Sequence, residues 1–274
     1  MPTPTGTAVS LGDRTVFPRL VTATAPRVEK RYAFFPSFGV GASGGGMDSA
    51  ARAGSVQVVV SQVGPFTVST LSSSDPGAVN TWLADHGYPT KPELTGTFGL
   101  YLAKGWSIQA VRLTSPGGQL TGDLDPLRMT FPATTPVYPI LLSKHASDTQ
   151  VVTLYVAAAH RMQVATTASA NAYTTQLFAG RVPAAQLGIT ALYGDAVYLT
   201  AFIEVLVPDQ ITADYTFRQA SDDTDYQRVV YEDVDVTWAV PLGAFGLLVV
   251  GVILVVWYRT RRKQVPGGAG PTVH

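Results

Sequence analysis

The chain has 274 residues, of which 46% are hydrophobic and only 14% charged. That excludes a disordered polyelectrolyte and leaves enough apolar material for one large domain or two small ones. Lysine plus arginine (19) balances aspartate plus glutamate (19), which argues against a basic nucleic-acid binder, and the absence of cysteine removes any disulfide, thiolate zinc site or thiol nucleophile from these residues.

In chain order, Leu11 to Ala25 is mixed and carries the helix-like phrase Thr15-Val-Phe-Pro-Arg-Leu-Val. Glu29 to Phe38 is aromatic at Tyr32, Phe34, Phe35 and Phe38 and reads as a strand. Phe38 to Ala53 reads as a loop, because five glycines fall between Gly39 and Gly46. Ser55 to Val60 and Phe66 to Leu71 read as two strands about the turn Val63-Gly64-Pro65.

Ser74-Asp75-Pro76 opens the clearest helix. Asp75 can accept from the free N–H groups of the first turn, and proline suits the first helical position. Val79, Trp82 and Leu83 then make one apolar face, and Gly87 is placed to end the helix in a left-handed conformation. A second short helix is predicted over Leu94 to Lys104, stopped at Gly105.

Strands are predicted at Trp106 to Leu113, Leu127 to Phe131, Val137 to Ser143, Val151 to Ala157 and Arg161 to Thr166. Asn171 to Leu192 reads as more helical, and Ala196 to Pro208 as a long apolar strand. Short strands at regular spacing predict a mainly antiparallel α+β fold with a few packed helices. No internal repeat is present.

The C-terminal region carries the strongest single signal. Trp238 to Tyr258 is a run of 21 residues without a charge, flanked by Trp238 at one end and by Trp257 and Tyr258 at the other. As a helix it would span roughly 30 Å, the thickness of a bilayer core. Arg259, Arg261, Arg262 and Lys263 follow at once; with these four set aside, 15 basic residues face 19 acidic ones in the rest of the chain. The positive-inside rule then predicts one C-terminal transmembrane helix, residues 259–274 in the cytoplasm and the N-terminal domain outside. Met1-Pro-Thr-Pro-Thr-Gly has neither the basic nor the apolar region of an export signal. The domain is therefore expected to lack its opening segment.

Chemical motifs are weak. Gly39-Val-Gly-Ala-Ser-Gly44 spells a dinucleotide fingerprint, but no acid for a ribose lies between Asp48 and Asp75. Gly41-Ala-Ser43-Gly-Gly45 spells a nucleophile elbow, but its glycines would leave Ser43 unheld. The histidines are scattered without a zinc-helix spacing. Asp123 with Asp125, and Asp222, Asp223 and Asp225, do not follow the twelve-residue calcium loop and read as solvated turn residues. No residue is assigned a catalytic, cofactor-binding or metal-binding role.

Several phrases carry a family resemblance. Ala25-Pro-Arg27, Gly64-Pro-Phe66, Asp75 to Tyr88 and Tyr101-Leu-Ala-Lys-Gly105 are similar to the bacterial domain-of-unknown-function family 2330. Pro136-Val-Tyr-Pro-Ile140, Tyr198-Leu-Thr-Ala-Phe202 and Pro208 to Asp214 extend it. The resemblance implies an exported or membrane-anchored bacterial protein and no assigned activity. It also implies an upstream export signal, a cysteine-bearing segment and further strands, because Met1-Pro-Thr-Pro resembles an internal phrase of the family.

The expected organisation is an extracytoplasmic domain over residues 1–208, an acidic juxtamembrane stalk over 209–237, a transmembrane helix over 238–258 and a basic cytoplasmic tail over 259–274. The expected partner is the lipid bilayer through residues 238–258, with no nucleic acid; a protein or cell-envelope partner is open. The expected role is a binding or structural module at the bacterial cell surface. The alternative is a membrane-tethered hydrolase using carboxylates or Ser43. It would gather two or more of His86, Asp123, Asp125, His145 and His160 around one cleft.

Overall fold

The computed structural model describes residues 1–2, 7–33, 56–114, 124–169, 174–235 and 250–259. The chain runs through β1 (Ala8–Leu11), α1 (Val16–Ala23), β2 (Arg27–Ala33), β3 (Gln57–Val63), β4 (Phe66–Ser72), α2 (Pro76–Asp85), α3 (Leu94–Leu102), β5 (Ile108–Leu113) and β6 (Leu127–Thr130). It continues through β7 (Val137–Tyr138), β8 (Gln150–Ala158), β9 (Met162–Thr166), β10 (Thr175–Pro183), α4 (Ala184–Leu187) and α5 (Thr190–Tyr193). The last elements are β11 (Ala196–Leu206), β12 (Tyr215–Gln219), β13 (Tyr226–Gln227) and β14 (Val229–Asp235). The result is a mixed α+β fold whose sheets are mostly antiparallel, as the strand spacing predicts.

Two units divide the chain. The first (Met1–Arg27 and Ser43–Arg228) holds sheets ordered β3-β4-β5, β13-β10-β11-β8 and β7-β12-β9, and the ribbon β1-β6. The second (Val28–Ala42 and Val229–His274) holds the pairing of β2 with β14. There Arg31 donates twice to Asp233, at 2.7 and 3.1 Å, and its guanidinium lies 5.9 Å from the Tyr231 ring centre. That pair is exposed and adds little stability.

β11 organises the first unit. Its even and odd positions face opposite sides of the sheet, as a strand requires. Val197 and Leu199 join Leu20, Val182 and Leu187 in one apolar cluster, while Phe202 and Leu206 join a larger one with Leu71, Val79, Phe98 and Tyr215. A strand with a core on both faces reads as a nearly continuous apolar run, which is why it was visible in the sequence.

Local signals behave as expected around α2. Asp75 Oδ1 accepts from the Gly77 amide at 2.8 Å, and Gly87 (φ +69°) ends the helix, with the Tyr88 amide donating to the Leu83 carbonyl at 2.8 Å. Val79 and Leu83 are buried, but Trp82 is only half-buried, with its ring stacked on His86, centroids 3.8 Å apart. Trp82→Ala is therefore expected to cost about 2 kcal/mol in a denaturant melt, below the roughly 3–5 kcal/mol of a fully buried indole.

Four expectations need correction or limitation. The region expected to be more helical, Asn171 to Leu192, is divided between a strand and short helices among its described residues. β10 pairs with β11 from Thr175↔Ile203 to Pro183↔Ala196, with a bulge between Gln176 and Phe178, and helix is confined to the four-residue α4 and α5. Pairing along β11 and burial of Ala179 and Val182 outweigh the alanine-rich composition. The expected strand Val137 to Ser143 keeps two strand residues and then turns into a 3-10 segment, Leu141–His145. The acidic stretch from Asp209 does not begin a stalk. Ile211, Tyr215 and Phe217 enter the larger core, β12 is the central strand of its sheet, and Asp214 lies between these apolar positions.

The fourth concerns the membrane span. Among the described residues no helix is long and apolar enough to cross a membrane. Of the segment 238–258, residues 250–258 are described; they are helical, and their apolar side chains are about half exposed. Residues 238–249 lie outside the described set.

Candidate functional site

A cleft of about 880 Å³ in the first unit is assembled around the end of α3. Gly105 adopts φ +71°, a left-handed turn that suits glycine, and reverses the chain, so that the Trp106 amide donates to the Tyr101 carbonyl at 3.1 Å. That reversal stacks the Trp106 indole on the Tyr101 ring, centroids 5.2 Å apart and 11° from parallel. Lys104, in the same turn, places Nζ 5.0 Å from the Trp106 ring centre and 5.6 Å from that of Tyr101, within cation–π range.

Asp214 forms the charged floor. It is buried, and its Oδ1 accepts from the Tyr101 hydroxyl at 2.5 Å and from the Ile140 and Leu141 amides at 3.0 Å each. The two residues before it are pinned as well, because the Thr212 and Ala213 amides both donate to the Ala168 carbonyl. Capture of the Ile140 and Leu141 amides by a carboxylate removes them from any sheet ladder, which accounts for the 3-10 turn where a strand was expected. Asp214 Oδ2 is left 3.8 Å from Lys104 Nζ, too long for a direct hydrogen bond. Burial, then the hydrogen bond and charge of Asp214, push the Tyr101 phenol well above its usual range. The walls are apolar or hydroxyl-bearing, with Leu100, Pro132 and Val137 beside Thr134, Thr166 and Thr216.

The residues singled out for a hydrolase are not brought together, and each described one has its own partner. His86 Nδ1 lies 2.7 Å from the Trp82 carbonyl, and the His86 carbonyl accepts from Arg112. His145 Nε2 lies 2.8 Å from Thr97 Oγ1, and burial holds its imidazole below the usual value. Asp125 pairs with exposed Arg14 at 2.7 Å, which holds its carboxyl below the usual range. His160 contacts Asp223 at 2.9 Å, Arg161 reaches Asp222 at 3.3 Å, and Tyr198 donates to Asp225 at 3.0 Å. Among the described residues no group of three histidines or carboxylates could hold a metal ion. Asp123, Ser43 and the glycine-rich motifs lie outside the described residues.

Sequence reasoning did not single out Lys104, Trp106 or Asp214 as a site. Yet three phrases that carry the family resemblance, Tyr101 to Gly105, Pro136 to Ile140 and Pro208 to Asp214, meet at this cleft through the Asp214 carboxylate. A signal was present. Asp214 is a lone acid one residue before buried Tyr215 and three after buried Ile211, where a carboxylate needs internal partners.

These features define a mostly antiparallel α+β domain with a preorganised carboxylate in a half-open cleft. The chain belongs to the bacterial family described as "Uncharacterized protein conserved in bacteria (DUF2330)", whose model matches residues 1–218 and so takes in the whole cleft. No curated protein and no solved structure matches the chain.

Proposed function

We propose that the chain is a ligand-binding module of the bacterial cell surface, anchored by a helix over residues 238–258 with the folded domain outside and residues 259–274 in the cytoplasm. The observation that carries the binding reading is the 880 Å³ cleft, whose polar groups are fixed before any ligand arrives. The separation of His86, Asp125, His145 and His160 favours binding over hydrolysis. Support for the anchor comes from the uncharged run, its aromatic ends, the basic flank and the half-exposed apolar helix at 250–258.

Two measurements test the two parts. The native chain has no cysteine, so single cysteines report cleanly. In intact cells Ser115→Cys should react with a membrane-impermeant thiol reagent and Thr272→Cys should not; the reverse pattern overturns the topology. For the cleft, the full chain is incubated with isolated cell-envelope material and the bound molecules are identified after denaturation. The native protein should retain a compound that a cleft-filling Thr134→Trp variant does not; equal retention, or none, overturns the binding reading.

A further inference from the structure

We infer that the cleft takes a neutral glycan, with the Lys104–Asp214 pair gripping a sugar hydroxyl and Trp106 forming the shared wall between two sugar subsites. The inference rests on the binding reading above and names the ligand class of that same site.

The charge arrangement selects first. Lys104 Nζ and Asp214 Oδ2 stand 3.8 Å apart. One hydroxyl oxygen fits between them at ordinary hydrogen-bond distance from both, accepting from the ammonium and donating to the carboxylate. An anionic ligand placed there would meet the buried Asp214 charge, and a cationic one would meet Lys104. A neutral group that both donates and accepts satisfies the pair and leaves no charge uncompensated. Asp214 cannot turn away from this role, because its other oxygen already holds the Tyr101 hydroxyl and two backbone amides.

The shape adds a second, independent argument. Trp106 bounds the 880 Å³ cleft and also a neighbouring one of about 530 Å³, in which Ser72 and Ser74 supply hydroxyls. The indole is held by its stack on Tyr101, so little side-chain freedom is lost when a ligand packs against it. A rigid aromatic wall with hydroxyl-bearing side chains in both compartments suits a chain of rings that are apolar on their faces and hydroxylated at their edges.

The test uses the full chain in detergent and isothermal titration with chitohexaose, cellohexaose, maltohexaose, a neutral hexa-alanine amide and decanoate. At least one hexasaccharide should bind. Trp106→Ala should weaken it by about tenfold or more, while Trp106→Phe, which keeps a stacked ring, should stay within severalfold of the native protein. Thermal melts of both variants show that the domain is folded. Binding of the peptide or of decanoate with no hexasaccharide bound overturns the glycan assignment and leaves the binding reading standing. Glycan binding indifferent to Trp106→Ala in a folded variant overturns the placement at this cleft. If no hexasaccharide binds, the glycan assignment falls; if the envelope experiment also recovers nothing, the binding reading falls with it.

Discussion

Asp214→Ala is expected to lower the stability of the first unit by about 3–5 kcal/mol, because the Tyr101 hydroxyl and the Ile140 and Leu141 amides are left buried without their acceptor. In a domain of this size that corresponds to a melting temperature lower by roughly 6–20 °C. Asp214→Asn keeps an oxygen for these donors and should lose only about 1–2 kcal/mol. The same network sets an alkaline limit. The folded Tyr101 phenol has a raised pKa, so its protonated form is favoured in the native state. Its contribution is intact below the unfolded phenol's ordinary value of about 10 and is lost as pH rises above it. Tyr198 and Tyr215, whose phenols burial raises as well, add to the same decline. Denaturant melts between neutral pH and pH 11 measure both effects; an Asp214→Ala protein as stable as the native one would show that the carboxylate is not the anchor of the cleft.

Leu199→Ala should cost about 2–5 kcal/mol, toward the upper end. Leu199 is fully buried in the smaller cluster, and its strand is hydrogen-bonded on both sides, opposite Gly180 on β10 and Ala157 on β8. Two ladders hold the backbone in place, so the surrounding structure cannot collapse into the cavity. Val205→Ala on the same strand is the control. Val205 is 61% exposed, and its truncation should fall within about 0.5 kcal/mol of native. Equal losses at the two positions would contradict the burial of Leu199 in the smaller cluster.

Elements whose chemistry is local were legible in the sequence. The α2 cap needs only Asp75, Pro76 and Gly87, and the turn between β3 and β4 needs Gly64 and Pro65. Where a distant partner decided the conformation, the sequence misled. Thr175 to Pro183 is a strand because β11 lies beside it, and Leu141 to His145 leaves the sheet because a carboxylate more than seventy residues away takes the Ile140 and Leu141 amides. Acids between Asp209 and Asp235 suggested a stalk, since composition averages over Tyr215 and Phe217 and hides that these alternate into the core.

Composition, turn residues and hydrophobic periodicity by themselves determined the α+β class, the capped helix and the main strands β4, β8 and β11, because those signals act within a few residues of the chain. The uncharged run at 238–258 and its basic flank were equally plain as sequence, since they depend on length and charge alone. The cleft was decided only by tertiary structure. Tyr101, Ile140 and Asp214 are separated by up to 113 positions, and nothing local in any of the three segments states that one carboxylate will hold the other two. That arrangement exists because burying Asp214 beside Ile211 and Tyr215 requires internal donors, and in this packing they come from the end of α3 and the turn before Leu141.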